Sequence, residues 1–221
     1  ISGQRSQCCP HHRAGGVGLH RSLPDAAVLN HQIFLLSPAH CGGKRAGFLL
    51  RKDGRSDLAL RLRSDAGATI GEIFTFMSGL YFRGKLKYAV AFANPPADCP
   101  GVHVIVPGLG LRPPETPMDL DGLRAIARVR VDADNWRYTK PLRRDAARLA
   151  EQLDLSDTAV LLGSIATDKY LEPLQDVLGP RLHYPREFIG RGDMSRGSLM
   201  LRCAAEGREL AYTQPGHALT V

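Results

Sequence analysis

Three short apolar runs constrain this chain more than any other feature: Ile33-Phe34-Leu35-Leu36, Val102-His103-Val104-Ile105-Val106 and Thr158-Ala159-Val160-Leu161-Leu162. Each has the length of a buried strand, and each runs directly into polar sequence containing glycine. A shorter fourth run, Leu182-His183-Tyr184-Pro185, follows. The stretches between them have helical character. Strands alternating with helices predict an α/β fold with a mostly parallel central sheet and helices on both faces. The carboxyl ends of such strands share one sheet edge, where ligands bind. With 221 residues the chain suits one good core. The expectation is a single domain over 32–210, a disordered or non-native segment over 1–31 and a loose tail over 211–221.

The helices are placed by spacing. Thr69 to Ala93 reads as helical, split at Ser78-Gly79, and Asn94-Pro95-Pro96 ends it. Asp119 to Ala127 reads as a short helix. Pro141 to Leu153 is strongly periodic, with Leu142, Ala146, Leu149 and Leu153 on one face. Tyr170 to Leu178 backs the third strand, and Ser198 to Ala205 closes the domain as a helix or strand. Phe48 to Arg63 is expected to be a loop or short helix, and Trp136, the only tryptophan, to sit in a loop.

The sequence after each strand supplies the candidate site residues. After the first comes Ser37-Pro38-Ala39-His40-Cys41-Gly42-Gly43-Lys44-Arg45. Gly42 and Gly43 let backbone approach a ligand closely, a helix start favours an anion, and Lys44 and Arg45 add positive charge. Ser37, His40 and Cys41 bring polar or reactive groups. The spacing is not that of a P-loop, and a glycine turn with solvated charges is the alternative. Ser78-Gly79-Leu80-Tyr81-Phe82-Arg83-Gly84-Lys85 reads as a turn exposing an aromatic and two cations, Arg83 and Lys85, as base stacking with phosphate contact requires. An ordinary amphipathic helix has the same composition. After the second strand, Gly108, Gly110 and Arg112 lie in a proline-fixed loop, and Glu115 at its end is a candidate acid or base. After the third come Gly163 and Ser164. After the fourth come Phe188, Arg191, Asp193 and Arg196.

The net charge of +7 points to a polyanionic partner, DNA above all, or else to a merely solvated basic surface. Lys44, Arg45, Arg51, Lys52, Arg55, Arg61 and Arg63 crowd one stretch, against only Asp53 and Asp57 within it. Five scattered cysteines fit a reducing compartment rather than a disulfide framework. With no signal peptide and no membrane-length apolar run, the expected location is the cytoplasm. Cys8, Cys9, His11 and His12 lack the spacing of a closed zinc site.

Several chemistries are excluded by missing motifs. Ser164 is not within Gly-x-Ser-x-Gly. The zinc-deaminase signature, the dinucleotide fingerprint and the paired carboxylates of metal nucleases are absent. The expectation is therefore no metal and no cofactor. A basic protein of this kind binds nucleic acid without altering it, or cleaves an N-glycosidic bond. The second needs a flipped base, a carboxylate beside the sugar and donors to the departing base. Asp193 is the first choice for the carboxylate, with Glu115 and Glu187 behind it and His40 as a donor to the base. The alternative for Asp193 is a helix cap paired with an arginine. Arg45, Arg51, Lys85 and Arg196 would hold phosphates and Tyr81 or Phe188 would stack on the base. Lys85 is also the candidate for a Schiff-base lyase. A third possibility is turnover of a free nucleoside or nucleotide.

The order of motifs resembles the small α/β proteins related to the YaaA peroxide-stress family. Ser37 to Lys44 is similar to that family's polar Cys-Gly-Lys turn after an early strand. Leu80-Tyr81 through Tyr88-Ala89 is similar to its aromatic helix, and Val106 to Pro114 to its proline-bearing Gly-Leu loop. Tyr170 to Leu174 and Gly190 to Gly192 are similar to its later helix and closing turn. The resemblance implies an architecture like that of uracil-DNA glycosylases, together with nucleic-acid binding and modified-base biology. The glycosylases' water-activating motif is missing, so no catalytic residue carries over. The chain also resembles anti-phage DNA glycosylases that excise glucosylated hydroxymethylcytosine, which implies phage DNA as the partner.

Overall fold

A computed structural model describes residues 30–65 and 67–216. The cysteine and histidine pairs at positions 8–12 lie outside the described residues. The strands are β1 (Gln32–Leu36), β2 (Ala68–Thr69), β3 (Val102–Val106), β4 (Gly110–Arg112), β5 (Pro117–Met118), β6 (Thr158–Leu162), β7 (Leu182–Pro185) and β8 (Tyr212–Thr213). The α-helices are α1 (Lys44–Leu50), α2 (Asp57–Arg61), α3 (Ile70–Ser78), α4 (Leu80–Phe92), α5 (Leu120–Ala127), α6 (Trp136–Ala150), α7 (Asp168–Leu178) and α8 (Asp193–Glu206). The chain is thus a mixed α/β protein with a six-stranded sheet in the order β4-β3-β1-β6-β7-β8. β3, β1, β6 and β7 run parallel, with antiparallel β4 and β8 at the two edges.

The first strand of the described residues, β1, lies in the middle of the sheet. From β1 the chain steps to β3 on one side, then returns past it to β6 on the other. Right-handed crossovers demand that these steps pass over opposite faces. The two hydrophobic clusters agree. Phe34, Leu36, Val104, Val160 and Leu162 pack on one face with residues of α3, α4 and α8. Ile33, Leu35, Ile105, Ala159 and Leu161 pack on the other with α6 and α7. Burying each of the larger of these side chains contributes about 1.5–3 kcal/mol against leaving it in water.

Local chemistry sets the boundaries. Thr69 and Glu72 cap α3 reciprocally, a capping box. Gly79, at φ 60°, divides α3 from α4, so the segment expected as an exposed turn is the first part of a buried helix instead. Helix α6 starts five residues before Pro141, because the Asn135 side chain accepts from the Arg137 N–H. Trp136 is therefore its first residue and not part of a loop, and the proline is tolerated within the second turn. Residues 198–205 resolve as helix, within α8. The tail expected to be loose from residue 211 holds β8, which Tyr212 ties down through a 2.7 Å hydroxyl–hydroxyl bond to Tyr88. At the other boundary, His31 already donates its backbone N–H to Asp157.

Helices α4 and α8 touch through their backbones. A Cβ on Gly84 would lie 2.6 Å from the Gly197 carbonyl oxygen, and one on Gly197 2.9 Å from Tyr81 Cα. Only glycine fits at these two positions.

Candidate functional site: the cleft at the strand ends

The connections that leave β1 and β6 pass over opposite faces, which opens a crevice outside the carboxyl ends of these two neighbouring strands. A cavity of about 550 Å³ fills it. Its walls are the turn Ser37–Gly42 after β1, Pro107 after β3, Ser164 after β6 and the 126–131 segment leading out of α5. Ser78 and Tyr81 from the α3–α4 corner, Lys169 and Tyr170 of α7, and Asp193 of α8 complete it. Polar side chains from the ends of β1 and β6 reach the cavity directly, β3 contributes Pro107, and α8 brings in Asp193 for the connection after β7.

The floor contains a buried cation. Lys85, 1% exposed, donates from Nζ to the Ser37 carbonyl oxygen at 2.5 Å and to Ser37 Oγ at 2.8 Å. The ammonium also lies 4.5 Å from the Tyr81 ring centroid and 5.0 Å from that of Phe82. Among the described residues no carboxylate is within ion-pair reach of it. Burial pulls its pKa down to about 7, and the charge of Asp193 counters only part of that pull. Tyr81 is pushed up to about 12 by burial and then by Asp193, with Arg196 opposing. Burial, followed by the Tyr81 and Asp193 charges, also raises Tyr170, while the Ser37 hydroxyl opposes the shift. Both tyrosines are therefore neutral hydroxyls at neutral pH. The Tyr81 hydroxyl is buried with no hydrogen-bond partner among the described residues. Burial pushes the Cys41 thiol up to about 11, so Cys41 lines the cleft as a thiol and is a poor nucleophile.

The sequence-derived site divides in two. Ser37, His40, Cys41, Gly42, Tyr81, Ser164 and Asp193 converge on the cavity. Gly163 is buried immediately behind, where a Cβ would meet that of Ser37 at 3.0 Å. Gly43 caps α1, whose two turns carry Lys44 and Arg45 exposed on the surface. Arg83 is exposed on α4, and Arg191 is exposed beside Ser195.

Other expectations are corrected. Lys85 is a floor residue, too deeply buried to hold a phosphate. Arg196 is 6% exposed and spends its guanidinium on the Phe188 carbonyl, so it too cannot grip DNA. Phe188 is fully buried beneath that guanidinium and cannot stack on a base. Tyr81 lines the cavity but is 7% exposed, too buried to stack on a base. Gly108 and Gly110 form the β3–β4 turn, with positive φ of 80° and 90°, and shape a hairpin rather than a ligand loop. Arg112 is paired to Asp145 of α6 at 2.8 Å. Glu115 lines a separate shallow groove with Gly71, Glu72 and Thr75.

Sequence reasoning missed Tyr170, Lys169, Arg128 and Arg130. The available signal was the pair of cations Arg128 and Arg130 directly after the short helix, in a segment that lines the cavity.

The fold and site define an α/β protein with a polar cleft at the topological switch point of its sheet. No protein-family model, curated protein or solved structure matches this chain. Among the described residues no His, Cys, Asp and Glu group has the grouping of a metal site, and no helix is long and apolar enough to cross a membrane.

Proposed function

We propose that the cleft receives one nucleotide extruded from DNA and hydrolyses its N-glycosidic bond, leaving an abasic site. The observation that carries this reading is the cleft's composition. Hydroxyls line the floor, a carboxylate stands at the start of α8, and Arg128, Arg130 and Lys169 form the wall. The volume of about 550 Å³ suits a nucleoside-sized ligand. Asp193, with its side chain 64% exposed, is free to face the sugar despite the Arg196 nitrogen 3.6 Å away.

In the reaction the C1′–N bond breaks with its electron pair leaving on the base. Water forms the new C1′–O bond, Asp193 stabilises the sugar cation and takes the water's proton, and the base is protonated from solvent. The substrate class that fits the motif resemblance is a modified cytosine, such as glucosylated hydroxymethylcytosine in phage DNA. The setting would then be anti-phage defence, and the architecture uracil-DNA-glycosylase-like. Lys85 is too enclosed to attack a sugar carbon, which favours hydrolysis over Schiff-base lyase chemistry.

The test is incubation with unmodified DNA and with phage DNA carrying hydroxymethylated or glucosylated cytosines, scoring alkali-labile sites and released base. Cleavage of modified DNA only, lost in Asp193→Asn at unchanged melting temperature, is the expected result. The short Asp193–Arg196 spacing favours a second reading, in which the carboxylate merely braces α8 and the protein binds DNA without altering it. That reading predicts salt-sensitive binding and intact glycosidic bonds on every substrate.

A further inference from the structure

The cleft floor contains a positive charge with nothing to neutralise it. Buried lysines are ordinarily paired, because an isolated charge in a low-dielectric interior is costly. Here the groups facing Nζ are neutral or distant. Ser37 lies at the end of β1, Tyr81 and Phe82 belong to the lysine's own helix, and Tyr170 approaches from α7. From α8 come Asp193, turned to solvent, and Arg196, a like charge. Ser37 Oγ accepts the Lys85 N–H and so retains its own proton to donate. The Tyr81 hydroxyl is equally unspent. Ser37, Tyr81 and Tyr170 are 3%, 7% and 6% exposed, yet all three line the cavity.

We infer that the floor is an anion subsite. Lys85, held behind the Ser37 hydroxyl, draws an electron-rich oxygen of a planar heterocyclic ligand onto the hydroxyls of Ser37, Tyr81 and Tyr170. On the proposed glycosidase reading, on which the ligand's identity rests, that oxygen belongs to the departing base. It gains negative charge as the C1′–N electron pair leaves, and the preset dipoles and charge of the floor meet it without reorganisation. Lys85 is then a positioning residue acting through Ser37.

The test needs neither DNA nor turnover. The full chain is titrated calorimetrically with barbiturate, a planar pyrimidine ring that is anionic at neutral pH, and with uracil, which is neutral. The expected result is barbiturate binding at least about tenfold tighter than uracil near pH 6. That preference should fall as pH rises through the Lys85 titration, by up to about tenfold per unit. Lys85→Met, which keeps the apolar stem and removes the charge, should abolish the preference at every pH. Tyr81→Phe should weaken barbiturate several-fold while preserving the pH dependence. Equal binding of the two rings, binding of neither, or an undiminished preference in a folded Lys85→Met overturns the inference. Absence of abasic sites in the DNA assay leaves it standing and removes only the assignment of the oxygen to a leaving base.

Discussion

Two buried charges in this molecule are handled in opposite ways. On the α6 side of the sheet, the Asp145 carboxylate accepts from Arg144 at 2.7 Å, from Arg112 at 2.8 Å and from the Leu111 N–H at 3.1 Å. Burial pushes this carboxyl upward, and those three hydrogen bonds more than offset it, leaving it below the ordinary carboxylate range. On the α4 side, Lys85 has hydroxyl, carbonyl and aromatic partners but no countercharge. The first is a closed arrangement that fastens the β3–β4 hairpin to α6. The second leaves its charge uncompensated behind Ser37, which lines a cavity, and that is the condition under which a ligand supplies what the fold omits.

The largest effect that would sharpen this contrast is Asp145→Ala. It strands two guanidinium groups and a buried N–H and should cost about 3 kcal/mol in a urea unfolding curve. A loss below about 1 kcal/mol would mean that the Asp145 cluster is as dispensable as a surface pair. Lys85→Met should act in the opposite direction. Removing an uncompensated buried cation is expected to leave stability unchanged or raise it by about 1 kcal/mol, while abasic-site formation falls about a hundredfold. A marked drop in melting temperature would place Lys85 with Asp145 as a structural charge.

The pH dependence separates them further. Lys85 loses its proton at about 7 in the folded chain but retains it to about 10.5, its ordinary value, when unfolded. Unfolding therefore takes up a proton between these values, and stability should rise with pH above about 7, by about 1.4 kcal/mol per unit at most. Above about pH 9 the rise should level off. There the unfolded chain releases the Cys41 proton at its ordinary 9.0, whereas the folded chain keeps it to about 11. Asp145 acts only on the acid side, where its contribution is lost as pH falls through its lowered folded value. Chemical denaturation of wild type and Lys85→Met from about pH 7 to 8.5 should show the rise in the first and a flat line in the second. The smallest effect is expected from Tyr81→Phe, whose hydroxyl has no partner to lose; thermal melting should place it within about 0.5 kcal/mol of wild type.

The parallel strands were legible because each is a short, mostly apolar run followed by a turn, and most of α6 because Leu142, Ala146, Leu149 and Leu153 recur on one face. The site was legible only along the strand-end turns, where position in the fold follows from position in the sequence. Lys85, Arg196 and Phe188 were placed in the right neighbourhood and given the wrong exposure. A cation beside an aromatic has the same sequence signature on a wet surface as beneath a helix crossing. The crossing itself depends on Gly84 and Gly197, which are 113 residues apart and carry no periodic signal. Tyr170 was assigned to its helix but not to the cleft, since which face of α7 reaches the strand ends is set by tertiary packing.

The central place of β1 also shapes how the molecule reaches its fold. Its register pairs Gln32 with Thr158 on one side and Phe34 with Val102 on the other. β1 therefore cannot be sealed on both edges until β6 has been synthesised. Such long-range parallel pairing is slow, because the loop-closure entropy is lost before the contacts form. During that interval Ile33 to Leu36 expose an apolar, uncharged edge, the kind of segment on which nascent chains aggregate. The arrangement that creates the binding crevice thus makes assembly depend on the second half of the chain.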